Sequence, residues 1–126
     1  MKSQRFYICK HCGNVTGMAV NSGVVPSCCG EKMAELVPNT VDASHEKHVP
    51  SVTISAGGMT VRVGEVAHPM EEKHFIGFVF VETKNGGQKK NLRPGDEPVA
   101  TFAFAADEPV AVYAYCNIHG LWVCEV

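Results

Sequence analysis

The chain has 126 residues, 45% of them hydrophobic and 19% charged, with a formal net charge of −2. That length suits one domain of ordinary size, or a small module joined to a larger one. No stretch approaches the ~18 apolar residues of a spanning helix, and the near-neutral charge gives no general electrostatic case for a nucleic-acid partner. The charge is uneven, because residues 1–37 hold four Lys/Arg against two Asp/Glu while residues 38–126 hold seven against eleven, a net −4. Six cysteines point to metal or redox chemistry rather than to a disulfide framework. The opening MKSQRFYICKHC has no apolar signal-peptide core, so a cytoplasmic protein is expected.

In chain order, RFYIC (5–9) reads as a short strand running into Cys9-Lys-His-Cys12, and Cys28-Cys29 follows after fifteen residues. C-x₂-C in a tight turn aims two thiolates at one point. A second pair at this distance completes a tetrahedral four-sulfur site, for zinc or for a single iron. Gly13 and Gly30 sit directly after the pairs, where the backbone turns around sulfur. Two adjacent cysteines reach one ion only with some angular distortion. His11, inside the first loop, reads as a solvated residue. A piece of this size lacks enough core to fold without a metal or a partner. PNTVDASHEK (38–47) reads as a linker, giving a module over 1–37 and a domain over 38–126.

Beyond the linker, SVTIS (51–55), MTVRV (59–63), FIGFVFVE (75–82), VATFAFA (99–105), VAVYAYC (110–116) and LWVCEV (121–126) are β-branched, aromatic or alternating. Turn signals stand between them at Gly57-Gly58, Asn85-Gly86-Gly87, Pro94-Gly95-Asp96 and Asp107-Glu108-Pro109. No window carries a long helical period. Short strands at this spacing predict an all-β sandwich.

Of the six histidines, four fall at loop edges of this domain. His48 in EKHVP precedes a strand. His68 and His74 stand at the two ends of the loop in AHPMEEKHF. His119 follows Cys116 in CNIHG. Loops gathered at one end of a sandwich are where such folds build sites. His45 reads as solvated, and Cys124, alternating with Trp122, as a small buried side chain. HEKH is one residue short of the zincin pattern and has no helix behind it.

Imidazoles suit iron, copper, zinc or nickel, and one thiolate adds electron donation. Five ligands in a square pyramid leave one position open, which a closed structural zinc site does not need. Two other classes compete. A cupredoxin, carrying electrons without catalysis, also ends on Cys-x-x-His, but its axial Met is missing from GLWVCEV. A zinc-ribbon interaction module explains the first cysteines and leaves Cys116 and four histidines unexplained.

Taken in order, C-x₂-C with C-C, then EKHVP, AHPMEEKH and CNIHG resemble desulfoferrodoxin, the two-iron class of superoxide reductase, with a desulforedoxin-like first module. The resemblance covers nearly the whole chain. It implies a small metal-held β module followed by an immunoglobulin-like β-sandwich, as a homodimer. It also implies that Cys9, Cys12, Cys28 and Cys29 hold one iron, or zinc in its place. His48, His68, His74 and His119 become equatorial ligands of a second iron, with Cys116 axial, the last histidine binding through Nδ1 and the others through Nε2. Glu46 becomes the carboxylate that occupies the sixth position in the oxidised resting state, and Lys47 the cation beside the open site. The implied reaction reduces superoxide by one electron to hydrogen peroxide, with a small iron protein such as rubredoxin as donor. The alternative is a non-catalytic electron-transfer metalloprotein, cupredoxin-like or rubredoxin-like. Superoxide is an anion and the domain is net negative, so a local cation has to guide it, and Lys47 fits that role. The N–H groups of Ile118 and His119 are expected to donate to the Cys116 sulfur.

Overall fold

The computed structural model describes residues 2–126. Its elements are almost all strands, in two compact units: Ser3–Val37, and Pro38–Val126 together with Lys2.

In the smaller unit, β1 (Phe6–Ile8) pairs antiparallel with β2 (Val15–Gly17) and, on its other side, with β5 (Ala34–Glu35). β3 (Ser27–Cys28) and β4 (Glu31–Lys32) form a separate hairpin. The buried cluster is small. Tyr7, Cys9 and Met33 carry it, with Met18, Val25 and Cys28 packed around them. Two of these six side chains, Cys9 and Cys28, are candidate ligands, so the core and the candidate metal site overlap.

In the larger unit, β6 (Pro50–Ser55), β7 (Gly58–Val63) and β10 (Val99–Ala103) form one antiparallel sheet in the order β10-β7-β6. β8 (Ile76–Thr83), β9 (Gly86–Asn91), β11 (Pro109–Cys116) and β12 (Gly120–Glu125) form the other, in the order β12-β11-β8-β9. Met59, Val61, Val63, Ala100 and Phe102 from the first sheet meet Ile76, Val79, Val81, Val112, Ala114 and Cys116 from the second in one buried cluster. Period-two alternation turns these residues inward and leaves Thr101 and Arg62 outside. The first, second and fifth strands of this unit thus face the third, fourth, sixth and seventh, an immunoglobulin-like sandwich.

Three local features depart from the sequence expectation. The residues 38–47 are not a plain linker: Asn39 N–H donates to Leu121 O (3.0 Å), and the Asn39 side chain exchanges hydrogen bonds with the backbone of Val123 (3.1 and 2.9 Å). This segment covers the free edge of β12, which would otherwise present unpaired backbone groups. His45–His48 forms a single helical turn, α1, closed by Val49 N–H donating to His45 O (2.8 Å), so a helix does underlie HEKH. Finally, Gly86 and Gly87 open β9 instead of forming the turn. Thr83 pairs with Gly86, and Lys84-Asn85 makes the two-residue connection.

Candidate metal centres

The first centre sits between two hairpins of the smaller unit. Cys9 directly follows β1, and the loop to β2 closes through Cys9 N–H to Asn14 O and Gly13 N–H to Cys9 O, both 2.8 Å. This brings Cys12 back over Cys9. Cys28 ends β3, and Cys29-Gly30 forms the two-residue turn into β4. Both turn residues have positive φ, 53° at Cys29 and 78° at Gly30, the pattern of a type I′ turn. The backbone therefore takes up the distortion expected of adjacent cysteines: a left-handed Cys29 swings its sulfur to the side that Cys28 already faces.

The four sulfurs lie within 4.8 Å of one another. Cys12 Sγ is 3.7 Å from Cys28 Sγ, and Cys28 Sγ is 4.0 Å from Cys29 Sγ. Metal–sulfur bonds of ~2.3 Å in a tetrahedron put thiolates ~3.8 Å apart, so the spacing fits one ion. Charge argues the same way. The Cys9 thiol is held down to about 6, first by the backbone N–H of Cys12. Cys29 is pushed up to about 12, first by its hydrogen bond with Cys9 and then by Cys12 and Cys28. A thiolate among these sulfurs pushes Cys28 and Cys29 up, whereas a bound cation removes that conflict. His11 is exposed, as expected, and its Nε2 lies 3.1 Å from Glu31 Oε2 across the loop.

The second centre is built by three segments of the larger unit: α1 carries His48, the loop between β7 and β8 carries His68 and His74, and the end of β11 with its connection to β12 carries Cys116 and His119. The four imidazoles form a closed ring. Neighbouring centroids are 4.6 Å apart for His48–His68, 4.6 Å for His68–His74, 5.1 Å for His74–His119 and 5.0 Å for His119–His48. Each ring stands at 77–82° to the next, and the diagonal pair His48–His74 is 6.3 Å apart and tilted by 32°.

The inward atoms are defined by what the outward atoms do. His48 Nδ1 meets Ser44 O at 2.6 Å and His68 Nδ1 meets Pro69 O at 2.7 Å, which turns both Nε2 atoms inward, 3.1 Å apart. His119 faces in through Nδ1, 3.1 Å from His48 Nε2 and 3.9 Å from Cys116 Sγ. Imidazole nitrogens bound at ~2.1 Å around a square stand ~3.0 Å apart, so these spacings fit one ion at the middle. His74 Nε2 is buried with no hydrogen-bond partner, a state that costs free energy unless something fills it. Nε2 from three residues and Nδ1 from the fourth is the atom choice that the family resemblance implies.

Cys116 is fully buried, on the core side of the ring, while His74 and His119 are half-buried. His119 N–H donates to the Cys116 sulfur at 3.4 Å. Burial pushes the Cys116 thiol up, and the N–H groups of His119 and Ile118 oppose that. Burial likewise lowers His48 and His74, and takes His68 down to about 4. Burial thus favours the neutral form of His48, His68 and His74, the form a metal requires.

Among the described residues, then, all nine predicted ligands come together in two groups. Lys47 is exposed on α1, and its charge lowers the pKa of His74, after the effects of burial, His119 and Glu71. Glu46 is exposed on the same turn, and its backbone carbonyl accepts Val66 N–H at 3.0 Å. His45 is exposed and meets Trp122 edge-on at 5.1 Å. Cys124 is half-buried against the core rather than fully buried. A residue in contact with two of the ring histidines escaped the sequence reading. Trp122, fully buried, stacks on His48 at 4.8 Å and donates its Nε1–H to His119 O at 3.1 Å. The available signal was weak: a lone tryptophan three residues after a ligand.

A family model described as Desulfoferrodoxin matches residues 40–125. The chain is 45% identical over 119 residues to the desulfoferrodoxin of Nitratidesulfovibrio vulgaris, covering 94% of each chain. It is 34% identical over 103 residues to the superoxide reductase of Pyrococcus horikoshii, covering 68% of this chain and 90% of that one. Among solved structures it is similar to the crystal structure of the superoxide reductase from Treponema pallidum, with a TM-score of 0.83 and 33% identity over 98% of this chain and all of that one.

Proposed function

Because this chain belongs to the desulfoferrodoxin family, we propose that it is a superoxide reductase, converting superoxide, one electron and two protons into hydrogen peroxide. The observation that carries this reading is the closed ring of four imidazoles with a buried thiol on its core side. A cupredoxin would leave His68 and His74 idle, and here both belong to the ring.

We propose iron at both centres: Cys9, Cys12, Cys28 and Cys29 hold one ion in a desulforedoxin-like module over 1–37, and His48, His68, His74, His119 and Cys116 hold the other. Bound at the second centre, iron supplies the one-electron reduction. The protein supplies the rest. Neutral imidazoles keep the site cationic, which favours an anionic substrate. Lys47 brings the anion to the half-buried face of the ring against the net −4 of residues 38–126 and holds water for protonation of the product oxygen. Glu46 caps the site between turnovers. The N–H of His119 tempers the charge on the Cys116 sulfur. The larger unit is an immunoglobulin-like domain over 38–126, working in the cytoplasm of a homodimeric protein with a rubredoxin-like donor; no described helix is long and apolar enough to cross a membrane.

The test is a count. A reductase yields one peroxide for each superoxide consumed when an electron donor is supplied; a dismutase yields one for every two. The expected result is the first ratio, with two irons per chain. The second ratio overturns the reductase, and copper or zinc in the histidine ring overturns the iron reading.

A further inference from the structure

A histidine ligand is ordinarily steered by the ring nitrogen it turns away from the metal, which bonds to a carbonyl or carboxylate. His48 and His68 follow that rule through Ser44 O and Pro69 O. His74 does not: among the described residues its ring has no such tie, and its Nε2 is buried without a partner. What holds His74 is its backbone. Its own N–H and C=O both pair with Glu71, at 3.0 and 2.9 Å. The next groups outward both go to one side chain. Asn117 Nδ2 donates to Lys73 O (3.1 Å), and Asn117 Oδ1 accepts Phe75 N–H (2.9 Å). Asn117 N–H then donates to Phe75 O at 3.1 Å. These bonds bracket His74 from both sides, and they start from the residue that follows Cys116 and precedes His119 by two.

From this we infer that Asn117 is a positioning residue: its carboxamide replaces the missing outer tie of His74 and fixes that ring's loop to the loop of Cys116 and His119. The chemistry is selective. A carboxamide offers a donor and an acceptor from one short planar group, where an ionised carboxylate offers acceptors alone. Asp keeps the acceptor but turns an oxygen on Lys73 O, Ala keeps neither, and Gln is one methylene too long. The inference rests on the reading that His74 is a ligand.

The experiment uses the full-length, iron-loaded chain with Asn117→Ala and Asn117→Asp. Iron loss to a competing chelator is followed at both centres, with the four-cysteine iron as internal reference, alongside the paramagnetic resonance spectrum of the ferric histidine site. Both variants should bind iron at the histidine site about 10–100-fold more weakly, with a changed ferric spectrum and an unchanged four-cysteine spectrum. Asn117→Asp preserves size and one bond, so it reports even where Asn117→Ala folds poorly. In a His74→Ala background, Asn117→Asp should add no further loss. A lowered melting temperature of the metal-free chain with unaltered iron affinity and ferric spectrum would overturn the inference, as would an equal further loss in the His74→Ala background. Wild-type iron affinity in His74→Ala alone would instead overturn the ligand set, and the role of Asn117 with it.

Discussion

At the scale of single residues, the second centre is a balance between burial and charge. His68 is driven down to about 4 from an ordinary 6.5, first by burial, and His48 and His74 move the same way for the same reason. In the metal-free chain the unfolded state therefore binds more protons than the folded one. The stability held by these neutral rings is fully present above pH 6.5 and is lost as pH falls through that value toward 4. The urea midpoint of the metal-free chain should accordingly be lower at pH 5 than at pH 7; equal midpoints would mean that the rings are not held neutral by the fold. Trp122 gives a second test. Trp122→Phe keeps a ring against His48 and removes the N–H bond to His119 O, for a loss of about 1 kcal/mol. Trp122→Ala removes both contacts and leaves a cavity, for about 3–5 kcal/mol. Equal losses in chemical unfolding would show that the stacked ring contributes nothing. These residues also divide by legibility. Cysteines and histidines were readable because metal binding belongs to their own side-chain chemistry. Trp122 and Asn117 were not, since each acts through a contact formed only once distant segments meet.

At the scale of elements, strands with an apolar face were legible and those without one were not. β8 and β11 alternate or run apolar, and the sequence placed both within a residue of their observed ends. β9 is GGQKKN, exposed along most of its length, with the lysines typical of an edge strand and no hydrophobic period to announce it. α1 is four residues long, shorter than any period that could reveal it. It is held in place by a missing side chain. A Cβ on Gly64 would stand 2.5 Å from Glu46 O, 2.8 Å from Val49 O and 3.1 Å from the carbonyl carbon of Lys47. All three are backbone atoms, so the turn carrying His48 would have to move. Gly64→Ala should destabilise the chain by about 1–3 kcal/mol and weaken iron binding at the histidine ring. Gly86→Ala, whose new Cβ meets nothing within 4 Å, is the control and should change neither. Wild-type iron retention in Gly64→Ala would show that the approach of α1 to Gly64 does not set the position of His48.

At the scale of the whole molecule, the two units differ in what keeps them folded. Pro38–Val126 has a continuous core drawn from both sheets, with Val61, Val63, Ile76, Val79, Val81 and Val112 fully buried. Its metal site sits on a scaffold that burial alone sustains. Ser3–Val37 has a buried cluster of Tyr7, Cys9 and Met33, far too little apolar area to offset the conformational entropy of its residues. On the proposed reading, metal binding and folding are one event there. Removing one ligand from each centre should therefore have opposite consequences. Cys12→Ser leaves three sulfurs where four are needed and should cost the first metal together with the strand pairing of residues 3–37. Iron at the histidine ring and its reaction with superoxide should be retained. His68→Ala should abolish iron binding at the ring while the sandwich still unfolds cooperatively and the four-cysteine spectrum stays intact. Amide hydrogen exchange resolves the two cases residue by residue. Protection of β1, β2 and β5 should collapse in Cys12→Ser, and that of β8 and β11 should persist in both variants. Persistent protection of β1 in a Cys12→Ser chain that has lost its first metal would show that the small unit folds on apolar contacts alone.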